Sequence, residues 1–253
     1  LSTWRNDFIS MNKYTRPSIK LKEVRKIVLH WTANPGASAQ SHHRYFNGIA
    51  IKNKTYASAH IFVDSKEAIC IIPLDEVAYH ANDHYERNSN GGVYRGVDEL
   101  APNANKLSIG VEMCVEKDGT ISQYTLTRTI RVIAELCKMF KLNANDIVRH
   151  YDITHKPCPK TFIDNPERFN EFKAQVNAIL NPPKTQTDSV PYPGTILKEG
   201  SRGESVKKVQ QKLKITADGI FGPVTENAVK KFQASNGLVV DGIVGKNTWG
   251  KLF

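Results

Sequence analysis

Val148-Arg149-His150-Tyr151-Asp152-Ile153-Thr154-His155-Lys156-Pro157-Cys158-Pro159-Lys160 carries the chemistry around which this chain is organised. It supplies a histidine and, eight residues on, a cysteine, with a lysine two residues before that cysteine. Far upstream, the apolar run Lys26-Ile27-Val28-Leu29-His30-Trp31-Thr32 brings in a second histidine. Ile27 to Trp31 reads as a buried strand, and Ile147-Val148 as a short strand delivering His150. Two imidazoles and one thiolate form a ligand set that Zn²⁺ prefers, and three protein ligands leave a fourth position open for water. Zinc lowers the pKa of such a water to about 7. Taken singly, each residue could be merely packed or solvated. Taken together, His30, His150 and Cys158 are expected to hold one zinc ion.

Outward from these residues, strand and helix signals alternate. Ser58 to Asp64 and Ala68 to Pro73 read as a hairpin, and Leu107 to Val115 is an apolar run with one carboxylate, Glu112, inside it. Leu126, Ile130, Ile133, Cys137 and Phe140 fall at helical spacing, which predicts an amphipathic helix over 125–140. Asp164-Asn165-Pro166-Glu167 starts another helix, with an N-capping side chain and Phe169, Phe172, Val176 and Ile179 on its buried face. Ser38 to Phe46 is a short helix whose His42 and His43 read as solvated or partly packed. Residues 1–25 lack periodicity and are expected across the surface. Residues 82–105 form a long loop, a kind that is often functional. The fold class is α/β: a mixed central β-sheet flanked by helices.

Residues 181–194 hold four prolines and almost no large apolar residue, the composition of a semi-rigid linker. The expected organisation is a catalytic domain over 1–180, a linker over 181–195 and a small domain over 196–253. The last segment contains an echo. Asp218-Gly219-Ile220-Phe221-Gly222 precedes Thr225, and Asp241-Gly242-Ile243-Val244-Gly245 precedes Thr248. Each reads as an Asp-Gly turn feeding a Thr-capped helix, giving an all-α domain of three short helices.

The whole chain, 253 residues with 40% hydrophobic and 24% charged, has an ordinary globular composition. Its net charge of +10 favours a polyanionic partner: nucleic acid, an anionic membrane or a phosphate-rich cell wall. No basic run interleaved with aromatics supports nucleic-acid binding, and no apolar run is long enough to span a membrane. Four scattered cysteines do not make a disulfide framework. No signal peptide is visible, which leaves two expected routes, synthesis in a host cytoplasm with action after release, or secretion. The expected state is a monomer.

With these motifs in order, residues 22–180 resemble the zinc-dependent N-acetylmuramoyl-L-alanine amidases of the type-2 family, which share a fold with peptidoglycan recognition proteins. The resemblance rests on His30 with Thr32, on Ser58-Ala59-His60, on Ser108-Ile109-Gly110-Val111-Glu112, and on His150 with Lys156 and Cys158. It implies zinc on His30, His150 and Cys158, and Glu112 as general base. A carboxylate inside an apolar strand is costly without such a task. It further implies Lys156 as a stabiliser of the oxyanion, and Tyr79 and His80, with His60, along the substrate groove. Some branches carry a catalytic Tyr where this chain has Ala59, so more falls on Glu112 and Lys156. His155 is read as exposed rather than as a ligand.

The C-terminal echo resembles a small peptidoglycan-binding module that ends in Thr-Trp, here Thr248-Trp249. The two resemblances together imply a phage or prophage endolysin-like hydrolase of the amide between N-acetylmuramic acid and L-alanine, tethered to its polymer. Two alternatives remain: a recognition protein that holds muropeptide without cutting it, which the presence of Cys158 opposes, and a zinc peptidase acting within the stem peptide.

Overall fold

Strand alternation decides what each face of the sheet carries. In a computed structural model that describes residues 2–182 and 190–253, six strands lie in one sheet. These are β1 (Arg5–Asn6), β2 (Lys26–Trp31), β3 (Ile61–Val63), β4 (Ala68–Cys70), β5 (Ser108–Met113) and β6 (Ile147–Arg149). Their order is β1-β4-β3-β5-β2-β6, parallel throughout except for the β3–β4 hairpin. The register sets His30 opposite Glu112 and Leu29 opposite Arg149.

Side chains alternate between faces along a strand. Ile27 and Leu29 of β2 and Ile109, Val111 and Met113 of β5 therefore share one face. The helices before residue 182 are α1 (Ala39–Phe46), α2 (Ile49–Lys52), α3 (Gln123–Phe140), α4 (His150–Thr154), α5 (Lys160–Asp164) and α6 (Pro166–Leu180). This face of the sheet packs with α3 and α6, through Ile130, Ile133, Cys137, Phe172 and Val176 among others. Val28, His30, Gly110 and Glu112 take the alternate positions, on the opposite face. There Val28 clusters with Ala81, Leu100, Leu107 and Ile153. The helix expected over 125–140 is present and begins earlier, because Ser122 Oγ accepts the Thr125 N–H as an N-cap.

Several expectations change. Residues 2–25 do more than cover the surface: β1 pairs with β4, Ile9 and Thr15 are fully buried, and Arg16 grips Glu76 with two nitrogens. A two-residue strand leaves no periodic signal to read. Asn165 precedes α6 but its side chain caps nothing. No helix among the described residues is long and apolar enough to cross a membrane.

The chain divides into two compact units, 1–182 and 183–253. Of the linker expected over 181–195, residues 183–189 lie outside the described residues, and Val190 and Tyr192 pack on the core of the small unit. That core joins Val206, Val209, Phe221, Val229, Val244 and Trp249. Its helices are α7 (Glu204–Lys212), α8 (Pro223–Ser235) and α9 (Lys246–Leu252).

The sequence echo is a repeated hydrogen-bond cage. Buried Gln210 donates to Asp218 Oδ1, Ile220 O and Thr225 Oγ1, and accepts from Gly219 N–H. Gln233 does the same with Asp241, Ile243, Thr248 and Gly242. The two threonines serve these cages and not the helix caps, which fall at Gly222 and Gly245. Gln233→Ala strips one cage of its centre and should cost the small unit about 2–3 kcal/mol. Calorimetry should show its transition lowered and that of the larger unit unmoved.

Candidate metal centre

β2 ends in a run of buried residues, and its alternation turns His30 away from α3 and α6. β6 is followed at once by the short helix α4 (His150–Thr154), so His150 starts a new element beside the end of β2. Asp152 Oδ2 accepts the Arg149 N–H at 2.7 Å and fixes that start. The chain then folds back: Tyr151 N–H donates to Cys158 O at 2.9 Å, which returns the cysteine to His150. His30, His150 and Cys158 are all buried, and one donor atom from each lies within 4.8 Å of the others. His30 Nδ1 stands 3.7 Å from Cys158 Sγ, and the two rings meet edge-on with centroids 4.7 Å apart.

The electrostatics suit a cation. Burial, then the neighbouring His150 and His80, hold His30 well below the ordinary imidazole pKa, so it is neutral with a lone pair to give. Burial, then Glu112, pushes the Cys158 thiol up, so its thiolate needs a positive partner. The donor set, its convergence and its seclusion from water therefore fit a zinc ion.

Glu112 is half-buried, but its Oε2 is sealed from solvent and makes no hydrogen bond among the described residues. Burial raises its pKa to about 8, against the opposing pull of Lys156. Lys156 is exposed and lines a groove of about 390 Å³ with Tyr56, Tyr79, His80, Asp83 and His150. Of the residues read from the sequence, His30, His150 and Cys158 cluster, Tyr79, His80 and Lys156 line the groove, and Glu112 lies opposite His30 in the sheet register. His60, expected in the groove, is fully buried behind it. Its Nδ1 accepts from Gly110 N–H and its Nε2–H donates to Glu76 O, leaving nothing for a ligand. Burial lowers its pKa to about 4.

His155 stays off the cluster, stacked between Tyr94 and Tyr151 and in contact with Glu86. It pins the loop over 82–105 against α4. Gly96 allows the close approach: a Cβ there would lie 2.2 Å from Asp152 O. Two residues of that loop escaped the sequence reading. Asp83 Oδ1 lies 2.5 Å from His150 Nε2, and Asn105 Oδ1 accepts the N–H groups of His80 and Ala81. The Asp83 carboxyl, which burial would raise, is lowered by the His150 contact. The only signal for either was membership of a long aperiodic segment.

The sequence profile of the N-acetylmuramoyl-L-alanine amidase family matches residues 20–161, more than half of the chain. The chain belongs to this amidase family. A peptidoglycan binding domain profile matches residues 202–252. N-acetylmuramoyl-L-alanine amidase BlyA of Bacillus subtilis (strain 168) is 52% identical over 221 residues, covering 87% of this chain and 58% of the relative. The amidase CwlL of Bacillus licheniformis is 44% identical over 258 residues, covering 96% and 69%. The chain thus spans little more than half the length of the first relative. Among solved structures, a mutant endolysin from Bacillus subtilis superposes with a TM-score of 0.54 at 28% identity, covering 70% of this chain and 99% of that one. The amidase-family fold and the ligand cluster coincide in the larger unit.

Glu112 yields a signed prediction. Its carboxyl, pushed up to about 8 when folded, has an ordinary value of 4.5. Between those values the folded state holds the extra proton, so stability falls as pH rises through the window, by about 1.4 kcal/mol per unit at most. Below and above the window the slope vanishes. With metal chelated, Glu112→Gln should gain on the wild type from pH 5 to 8 in denaturant titrations.

Proposed function

We propose that this amidase-family chain hydrolyses the amide between N-acetylmuramic acid and the L-alanine of the peptidoglycan stem, with one Zn²⁺ on His30, His150 and Cys158. The observation that carries the proposal is the meeting of these three donors with Glu112, whose Oε2 is sealed from solvent, and a groove lysine. When bound, the ion supplies a Lewis acid that polarises the scissile carbonyl and acidifies water.

The protein's own groups do the rest. Glu112, across the sheet register from His30, takes the proton of the attacking water and passes it to the leaving nitrogen. A carboxyl that titrates near neutrality suits both halves of that transfer. Lys156 brings an ammonium to the groove rim, where it stabilises the negative charge that develops on the carbonyl oxygen. Tyr79 and Tyr56, with ring centroids 6.0 Å apart, wall one side of the groove and orient the substrate. Residues 196–253, which match a peptidoglycan binding domain over 202–252 and carry ten Lys/Arg against five Asp/Glu, raise the local concentration of the anionic wall polymer. Action after release onto the wall, as an endolysin acts, agrees with this arrangement.

Digestion of purified Bacillus cell wall followed by mass spectrometry tests the proposal. New free L-alanine N-termini are expected; cleavage between amino acids would make the chain a peptidase, and binding without products a recognition protein. Cys158→Ser should lose zinc, while Glu112→Gln should keep zinc and lose turnover by about 10²–10⁴. Lys156→Met should lower kcat by about 10²–10³ with little change in zinc content.

A further inference from the structure

We infer that His80 is the positioning residue of the metal centre: its neutral imidazole, wedged against Gly110, accepts the outer N–H of His30 and so leaves His30 Nδ1 free for the metal. The inference rests on the metal reading above and gives His80 a task other than touching substrate.

Hydrogen-bond directions supply the argument. Ser108 Oγ–H donates to Ala104 O at 2.7 Å. Its single proton is thereby used, so towards His80 Nε2, 3.4 Å away, the hydroxyl oxygen can only accept. His80 therefore carries its proton on Nε2, and its Nδ1 is bare. That bare nitrogen lies 3.0 Å from His30 Nε2, which must then be the protonated nitrogen of a neutral His30. The lone pair of His30 is left on Nδ1, the atom that faces Cys158 Sγ at 3.7 Å. The chain of donors runs in one direction from His30 to the Ala104 carbonyl, and it selects the tautomer a metal needs.

His80 is built to stay where this requires. It is buried, Asn105 Oδ1 accepts its backbone N–H, and its ring meets the His30 ring edge-on with centroids 5.1 Å apart. Behind it, a Cβ on Gly110 would lie 2.6 Å from His80 Cγ, so only glycine leaves room for the ring. His60 holds the Gly110 backbone from both sides, accepting its N–H and donating to its O. The buried His60, which no ligand can reach, thus supports the strand on which His80 rests.

His80→Phe keeps a ring in this space and removes the acceptor; His80→Gln restores an acceptor as an amide oxygen. Competition with a chromogenic chelator measures zinc affinity of the full chain, and nitrogen-15 spectra of the histidines report the metal-free tautomer. The wild type should bind one zinc, with His30 protonated on Nε2. His80→Phe should bind zinc about 10–100-fold more weakly, with its metal-free melting temperature kept and the His30 tautomers mixed. His80→Gln should recover most of the affinity. Wild-type zinc affinity in His80→Phe, with Cys158→Ser impaired, would overturn the role of His80 alone. A wild type that takes up no zinc would remove the metal reading and this inference together.

Discussion

The parallel pairing of β2 with β5 is the constraint on which the rest of the larger unit depends. It sets His30 opposite Glu112, and the pairing of β2 with β6 sets Leu29 opposite Arg149, one residue before His150. Because side chains alternate, a register slip of one residue would send His30 into the apolar layer beneath α3 and bring leucine to the site. The layer of Ile27, Leu29, Ile109, Val111 and Met113 excludes that alternative. A fully apolar face thereby fixes the chemistry of the other.

That other face is polar and buried, a costly combination unless each group has a partner. Most do: His60 is spent on backbone, His80 on His30 and Ser108, His150 on Asp83. Glu112 Oε2 does not, and Cys158 sits in surroundings that disfavour its thiolate. The carboxyl of Glu112 acts on the Cys158 thiol and raises it further, which ties the two groups to the same corner of the site. The long loop over 82–105 closes the arrangement, held to α4 by the Tyr94–His155–Tyr151 stack and to the His80–Ala81 backbone by Asn105.

The sequence announced features that obey a period or carry a costly residue. The run 26–32, the helix over 125–140, the hairpin and the Asp-Gly echo all follow from spacing, and the ligand set follows from two histidines that end apolar runs and a cysteine between two prolines. Glu112 stood out because a lone carboxylate in an apolar strand violates the pattern around it. Asp83 and Asn105 could not be found this way, since their roles depend on where a loop without periodicity lands. The depth of His60 is hidden for a related reason: a histidine just ahead of a strand gives no sign in the sequence of how far it lies from solvent. Thr225 and Thr248 read as caps in the sequence because a threonine near a helix start suits both a cap and a buried cage. Only the glutamines across the core distinguish the two.

The measurement closest to the central claim is X-ray absorption at the zinc edge of the metal-loaded full chain. Two imidazole nitrogens at about 2.0 Å, one sulfur at about 2.3 Å and one further light atom are predicted. Replacing Cys158 with serine should erase the sulfur shell. A spectrum with no sulfur in the wild type, or with the sulfur retained in that variant, would contradict the account.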